Sequence, residues 1–178
     1  MDIQTHSRTH QIKQLSRYLF IVLTGLRYLL FLGWPAIVVV ALIPDGGLYL
    51  GNALIPIESI SLAFKAGILV LYAIGLLVML RITQHFRQLM LQFMQGHIFH
   101  PETIASVRGA LHSGMLFFIL SWLYALLGSL YDYFVHARLD ISFATEIVIA
   151  CIYFGLMYTL LWALEIGADL NEESEMTI

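Results

Sequence analysis

A chain of 178 residues that is 60% hydrophobic and 12% charged, with a formal net charge of −3, carries about half the charge of an average soluble domain. Too few polar groups remain to cover a water-facing surface, which excludes a soluble globular protein and places the chain in a bilayer. Nine Lys and Arg against twelve Asp and Glu also exclude the basic balance of a nucleic-acid binder.

Four apolar runs, at residues 18–43, 60–80, 109–130 and 143–164, each reach the roughly 20 residues that an α-helix needs to cross about 30 Å of hydrocarbon. Lipid offers no partner to free backbone N–H and C=O groups, so a spanning run must be helical or belong to a closed barrel, and the dyad alternation of barrel strands is absent from these runs. One all-α membrane domain, residues 1–178, is expected, with its four spans packed as a four-helix bundle.

Arg8, Lys13 and Arg17 precede the first run in the manner of a secretory signal. The run is about twice a signal's apolar length, and no small-x-small cleavage site follows before Pro44. It is expected to stay on the protein as span one. Lys and Arg in the short connections then orient the chain. Arg8, Lys13, Arg17, Arg81, Arg87 and Arg108 fall on one side, and only Arg138 falls in the two other loops. Both termini and the loop between spans two and three are expected in the cytoplasm.

The outer loop after span one, "PDGGLYLGNALIPIES", sets two short apolar segments around Gly51-Asn52. It reads either as a small hairpin on the membrane surface or as a disordered loop. Beyond Leu80, Ile82, Phe86, Leu89 and Phe93 recur at helical spacing with Arg81, His85, Arg87 and Gln92 between them. Span two is therefore expected to continue as an amphipathic helix past the membrane surface. Gly96 suits the left-handed residue after that helix, Pro101 the first turn of the next, and Glu102 its positive end. A tight cytoplasmic helical hairpin follows, with Ile98 and Phe99 expected between the two extensions. The second outer loop, "YDYFVHARLD", places Tyr131, Tyr133 and Phe134 where interfacial aromatics collect. The single cysteine, Cys151, lies in span four, and without a second no thiol–disulfide or haem-attachment motif forms.

Two stretches resemble a known family. "FMQGHIFHPETIASVRGALHSG" is similar to the "G-x-x-F-[ST]-x-E-N" hairpin of the bacterial membrane family catalogued as domain of unknown function 2975. The ending "EIGADLNEESEMTI" is similar to that family's closing "G-x-x-L-x-E-E-x-E-L-T-[IV]". Gly96, Phe99 and Glu102 match in the hairpin, and Gly167, Leu170, Glu172, Glu173, Glu175, Thr177 and Ile178 match at the end. The departures are His100 for a small hydroxyl residue, Thr103 for asparagine and Met176 for leucine. The resemblance implies a multi-pass protein of the bacterial inner membrane, often encoded beside a small helix-turn-helix regulator.

Ionisable residues within apolar runs are the first candidates for function, since each costs about 2.5–3.5 kcal/mol at the bilayer centre on insertion scales. Lys65 and Glu146 lie at similar depth in spans two and four. They form an interhelical pair, snorkel to the outer surface, or line an ion path. Arg27 lies roughly 14 Å inside the inner end of span one, too deep to reach the cytoplasmic surface. Glu165 is its expected acidic partner, with an anionic lipid or a ligand carboxylate as alternatives. His97 and His100 offer weak metal candidates without a third ligand at fixed spacing. His85 and His112 suggest a haem between spans two and three, although they sit at the ends of the runs rather than within them.

No nucleophile–base set or phosphate-binding glycine loop can be assembled. No enzyme, no cofactor and no direct nucleic-acid contact are expected. The remaining candidate is a partner surface: Arg81, Arg87, Phe99 and Arg108 on the hairpin, with Glu172, Glu173, Glu175 and Ile178 on the tail. The expected latch seats Met176 or Ile178 on the apolar face of Phe86 and Phe93. The leading reading is a binding or regulatory module that holds a helix-turn-helix transcription regulator at the bilayer. The alternative is a homo-oligomeric small-molecule channel or transporter subunit, with Arg27, Lys65 and Glu146 along its path.

Overall fold

The computed structural model describes the backbone of residues 2–42, 47–50, 53–56, 61–136 and 144–176, and within these the side chains of residues 13–36, 39, 50, 55, 61–136 and 147–174. Four long helices, α1 (Asp2–Leu42), α2 (Leu62–Gln95), α3 (Pro101–His136) and α4 (Ala144–Met176), and a two-stranded sheet, β1 (Gly47–Leu50) with β2 (Ala53–Pro56), make up these residues. All four helices are long and apolar enough to cross a membrane.

Every helix outruns its apolar run. At 1.5 Å per residue the 33 to 41 residues of these helices extend about 50–60 Å, well beyond about 30 Å of hydrocarbon. Three extensions lie at one end, where α2 continues to Gln95, α3 begins at Pro101 and α4 continues to Met176. The start of α1 joins them there: Arg87 of α2 lies over the Phe20 ring, 5.0 Å from its centroid.

Hydroxyl groups within the apolar helices find partners on their own backbone. Thr24, Thr83, Ser129 and Thr159 each donate to the carbonyl four residues earlier, at 2.7–3.1 Å. Such a bond satisfies the side chain without a neighbouring helix or water. The N-terminus of α2 is capped by Ser61, whose Oγ accepts from the Phe64 amide.

The helices pack in succession, α1 on α2, α2 on α3 and α3 on α4, rather than as the closed four-helix bundle that the sequence suggests. Two apolar clusters join α2, α3, α4 and the sheet. At one end the β-hairpin, paired in the register Leu50↔Ala53 and Leu48↔Ile55, turns Leu50 (2% exposed) and Ile55 (0%) inward from one face of the sheet. They meet Ile68 and Tyr72 of α2 and Tyr124, Leu127 and Tyr131 of α3. Of the two readings of this loop the hairpin is the one found, and it lies on the ends of α2 and α3. The second cluster, at the other end, joins Leu89, Val107, Ala110, Met157 and Leu164 from α2, α3 and α4.

Candidate functional site

The connection between α2 and α3 is built as expected at both of its ends. Gly96 has φ 86° and ψ 6°, the left-handed conformation that glycine adopts without strain. Its amide donates to the Phe93 carbonyl (3.2 Å), and the His97 amide donates to that of Gln92 (3.0 Å). These two bonds are the Schellman pair that closes a helix C-terminus. Four residues on, the His100 carbonyl accepts from the amides of Thr103 (2.9 Å) and Ile104 (3.3 Å), so α3 starts with Pro101 in its first turn and Glu102 beside its positive end.

Three side chains then fix the hairpin's shape. Thr103, fully buried, donates from Oγ1 to the His97 carbonyl at 2.6 Å. Gln92 of α2 donates from Nε2 to Glu102 Oε2 at 2.8 Å. Ile98 packs into the α2–α3–α4 cluster. Phe99 does not lie between the two extensions, as its sequence position suggested. Its ring rests on Gly167 of α4 so closely that a Cβ built there would overlap ring atoms. The hairpin bends toward α4 because only a residue without a side chain leaves that notch.

The same device recurs twice nearby. The His85 ring of α2 lies on Gly109 of α3, and the Tyr153 ring of α4 lies on Gly114 of α3. Tyr153 also donates its hydroxyl hydrogen to the Ala110 carbonyl, at 3.0 Å. The sequence pattern does not mark Gly109, Gly114, Gln92 or Thr103 as positioning residues, and Gly167 enters it only through the family resemblance. For Gly109 and Gly114 the available signal is glycine in an apolar run, where small residues let neighbours approach.

The charged candidates distribute themselves differently from expectation. Glu165 accepts from Arg108 Nη2 at 2.8 Å, so its carboxylate joins α4 to α3 rather than meeting Arg27. Among the described residues α1 packs on α2, and α4 on α3, which is the physical reason. Arg87 turns toward Phe20 of α1 and Arg108 toward α4. Arg87 and Arg108 therefore point to different helices. Phe86 and Phe93 pack, half-buried, against the cluster that includes Met157 and Leu164. Residues 171–176 continue α4 as helix, with Glu172 and Glu173 exposed. The side chains of Glu146, Glu175 and Met176, and residues Thr177 and Ile178, lie outside those described, and with them the expected Lys65–Glu146 pair and the apolar end of the latch.

The histidines gather no third ligand. The rings of His97 and His100 lie 5.2 Å apart, and among the described residues no group of three His, Cys, Asp or Glu could hold a metal ion. His112 Nδ1 bonds the Arg108 carbonyl of its own helix at 2.8 Å, while His85 packs on Gly109.

Two apolar clefts lie deeper among the helices. One, of about 280 Å³, runs between α2 and α3 beside Tyr72 and Tyr124. The other, of about 320 Å³, is closed by Tyr153 and Phe154 of α4. Met79, Phe117 and Ser121 border both. Comparison with protein-family models, curated proteins and solved structures finds no match.

Proposed function

We propose that the chain is a binding and regulatory module of the bacterial inner membrane, with both termini in the cytoplasm. Its hairpin and the helical end of α4 hold a helix-turn-helix transcription regulator at the bilayer. The observation that carries this reading is the joint between hairpin and α4. Phe99 seated on Gly167 and Arg108 bonded to Glu165 tie the two elements together just before the acidic segment. Glu172 and Glu173 then project on a helix only about 8 Å beyond that joint.

A basic partner would meet those carboxylates with the hairpin beside them. Each exposed pair contributes at most about 1 kcal/mol, so capture requires several pairs and apolar contact together. The regulator as partner rests on the resemblance of the hairpin and tail to the membrane family; the chemistry required of it is a basic patch. The test is deletion of residues 171–178. The truncated chain is expected to keep the thermal midpoint of the full chain in detergent while losing a helix-turn-helix regulator that the full chain captures. If it retains every partner that the full chain retains, the tail is only a solvated end.

The two clefts favour a second reading, an oligomeric channel or transporter subunit for a small molecule. Neither Arg27 nor Lys65 lines them, so their occupant would be apolar. Uptake of a hydrophobic fluorophore that depends on Met79 and Phe117, with no regulator captured, would favour this reading over the first.

A further inference from the structure

At the end of the molecule where α1 starts and α2 stops lies a third concavity, of about 640 Å³, lined by Lys13, Gln14, Arg17, Tyr18 and Ile21 of α1 and Met94 of α2. We propose that it holds the phosphate headgroup of an anionic phospholipid. The five α1 residues fall at i, i+1, i+4, i+5 and i+8, which is one stripe of a helix. The stripe changes character along its length. Lys13 and Gln14 come first, Arg17 and Tyr18 one turn deeper, and Ile21 after a further turn. Over about 12 Å it passes from two cations and an amide, through a phenol at the level where interfacial aromatics sit, to an aliphatic side chain. A phospholipid has the same sequence of phosphate, glycerol and acyl chain.

Charge selects the anionic kind. Among the described residues no carboxylate lines the groove, so Lys13 and Arg17 are the charged groups that face it. Arg87, the nearby cation of α2, is directed at the Phe20 ring instead. Lys13 is placed by the end of α2: its Cε lies 3.9 Å from where a Cβ of Gly96 would stand. The negative end of that helix dipole favours a cation at the rim. Met94, in the extension of α2 beyond its apolar run, closes the groove opposite α1 at the level of the headgroup. A soluble anion would use the two cations but leave Ile21 without a partner. A lipid engages both halves.

The experiment is native mass spectrometry of the full chain released from vesicles of phosphatidylglycerol and phosphatidylcholine in equal amounts. The unaltered protein is expected to retain one phosphatidylglycerol in preference to phosphatidylcholine. Lys13→Gln and Arg17→Gln should each weaken that preference about fivefold, and the double variant about thirtyfold, the contribution of one or two basic residues near an anionic surface. Lys65→Gln, which removes the same charge at the other end of α2, should leave the preference unchanged. Should the double variant fail to fold, the two single variants still decide the matter. Equal retention of both lipids by the unaltered protein, or a preference that survives both single changes, overturns the proposal. Release of the adduct by millimolar inorganic phosphate identifies an ion site without lipid selectivity and overturns it as well.

Discussion

The contact of Phe99 with Gly167 predicts that one substitution changes sign with its neighbour. Gly167 lies inside α4, where alanine in place of glycine ordinarily stabilises a helix by about 1 kcal/mol. In this chain the added Cβ falls within the Phe99 ring, so the ring must leave or the hairpin must shift. Phe99 is 44% exposed, and a phenylalanine can bury 150–250 Å², so expelling the ring uncovers about 110 Å². At about 25 cal/mol per Å² that is an upper bound of about 3 kcal/mol, and about 2 kcal/mol after allowance for compaction of the unfolded chain. Shifting the hairpin instead costs about 1–3 kcal/mol. Gly167→Ala should therefore destabilise the parent by about 1 kcal/mol net, and stabilise a Phe99→Ala background by about the same amount. In a chain of this length each kcal/mol moves the midpoint by roughly 2–4 °C. Thermal unfolding of the four proteins in one detergent, followed by tryptophan fluorescence, measures the cycle. If Gly167→Ala has the same effect with and without the Phe99 ring, the joint does not exist and the reading of the hairpin fails.

Thr103→Val keeps the shape of a buried residue but removes the hydroxyl that donates to the His97 carbonyl, and should lower stability by about 1–3 kcal/mol, read as the denaturant midpoint. Arg108→Gln and Glu165→Gln should each cost at most about 1 kcal/mol, because the pair is exposed, at 60% and 38%. That cost should shrink in high salt, and the double change should be no worse than either single one. A reporter active only in the periplasm, fused after Gln95, should be silent, since six basic residues lie on that side of the chain against Arg138 on the other. Inserting Gly-Gly-Ser between Leu170 and Asn171 keeps every tail charge but uncouples it from Phe99 and Gly167. It should weaken regulator capture in pull-down titrations, and undiminished capture would show that charge alone suffices.

The spans were legible because length and apolar content decide them, and lipid permits few alternatives. Both ends of the hairpin were legible too, because Gly96 and Pro101 act through backbone geometry that any reader can apply. The helix ends were not. Residues 2–17 set Gln, Lys and Arg among Thr, His and Ser, and residues 165–176 set Glu among Asp, Asn and Ser, so neither stretch has the propensity or the hydropathy that marks a helix or a span. Pairing across helices was the least legible. Scarcity of alternatives pairs Arg27 with Glu165 in the sequence, yet among the described residues α1 packs on α2 and α4 on α3. The direction of Phe99 depends on a notch at Gly167 and a tether through Thr103, and no local pattern in "GHIFHP" encodes a glycine on another helix.

The helical end of α4 changes what the acidic segment can do. A flexible tail could fold back onto Arg81 or Arg87, the ordering of each residue being repaid by weak surface pairs. A segment that continues span four as helix to Met176 cannot turn back without breaking its own hydrogen bonds, and no glycine or proline follows Gly167 to allow it. On the proposed reading such a segment serves as a handle, because its backbone is already ordered and a partner docking on it would avoid the cost of about 1–2 kcal/mol per residue that fixing a coil entails. The joint of Phe99 on Gly167 matters for the same reason. It holds the root of the handle, where a small rotation would carry the carboxylates farthest, and it couples any partner bound there to the hairpin between α2 and α3.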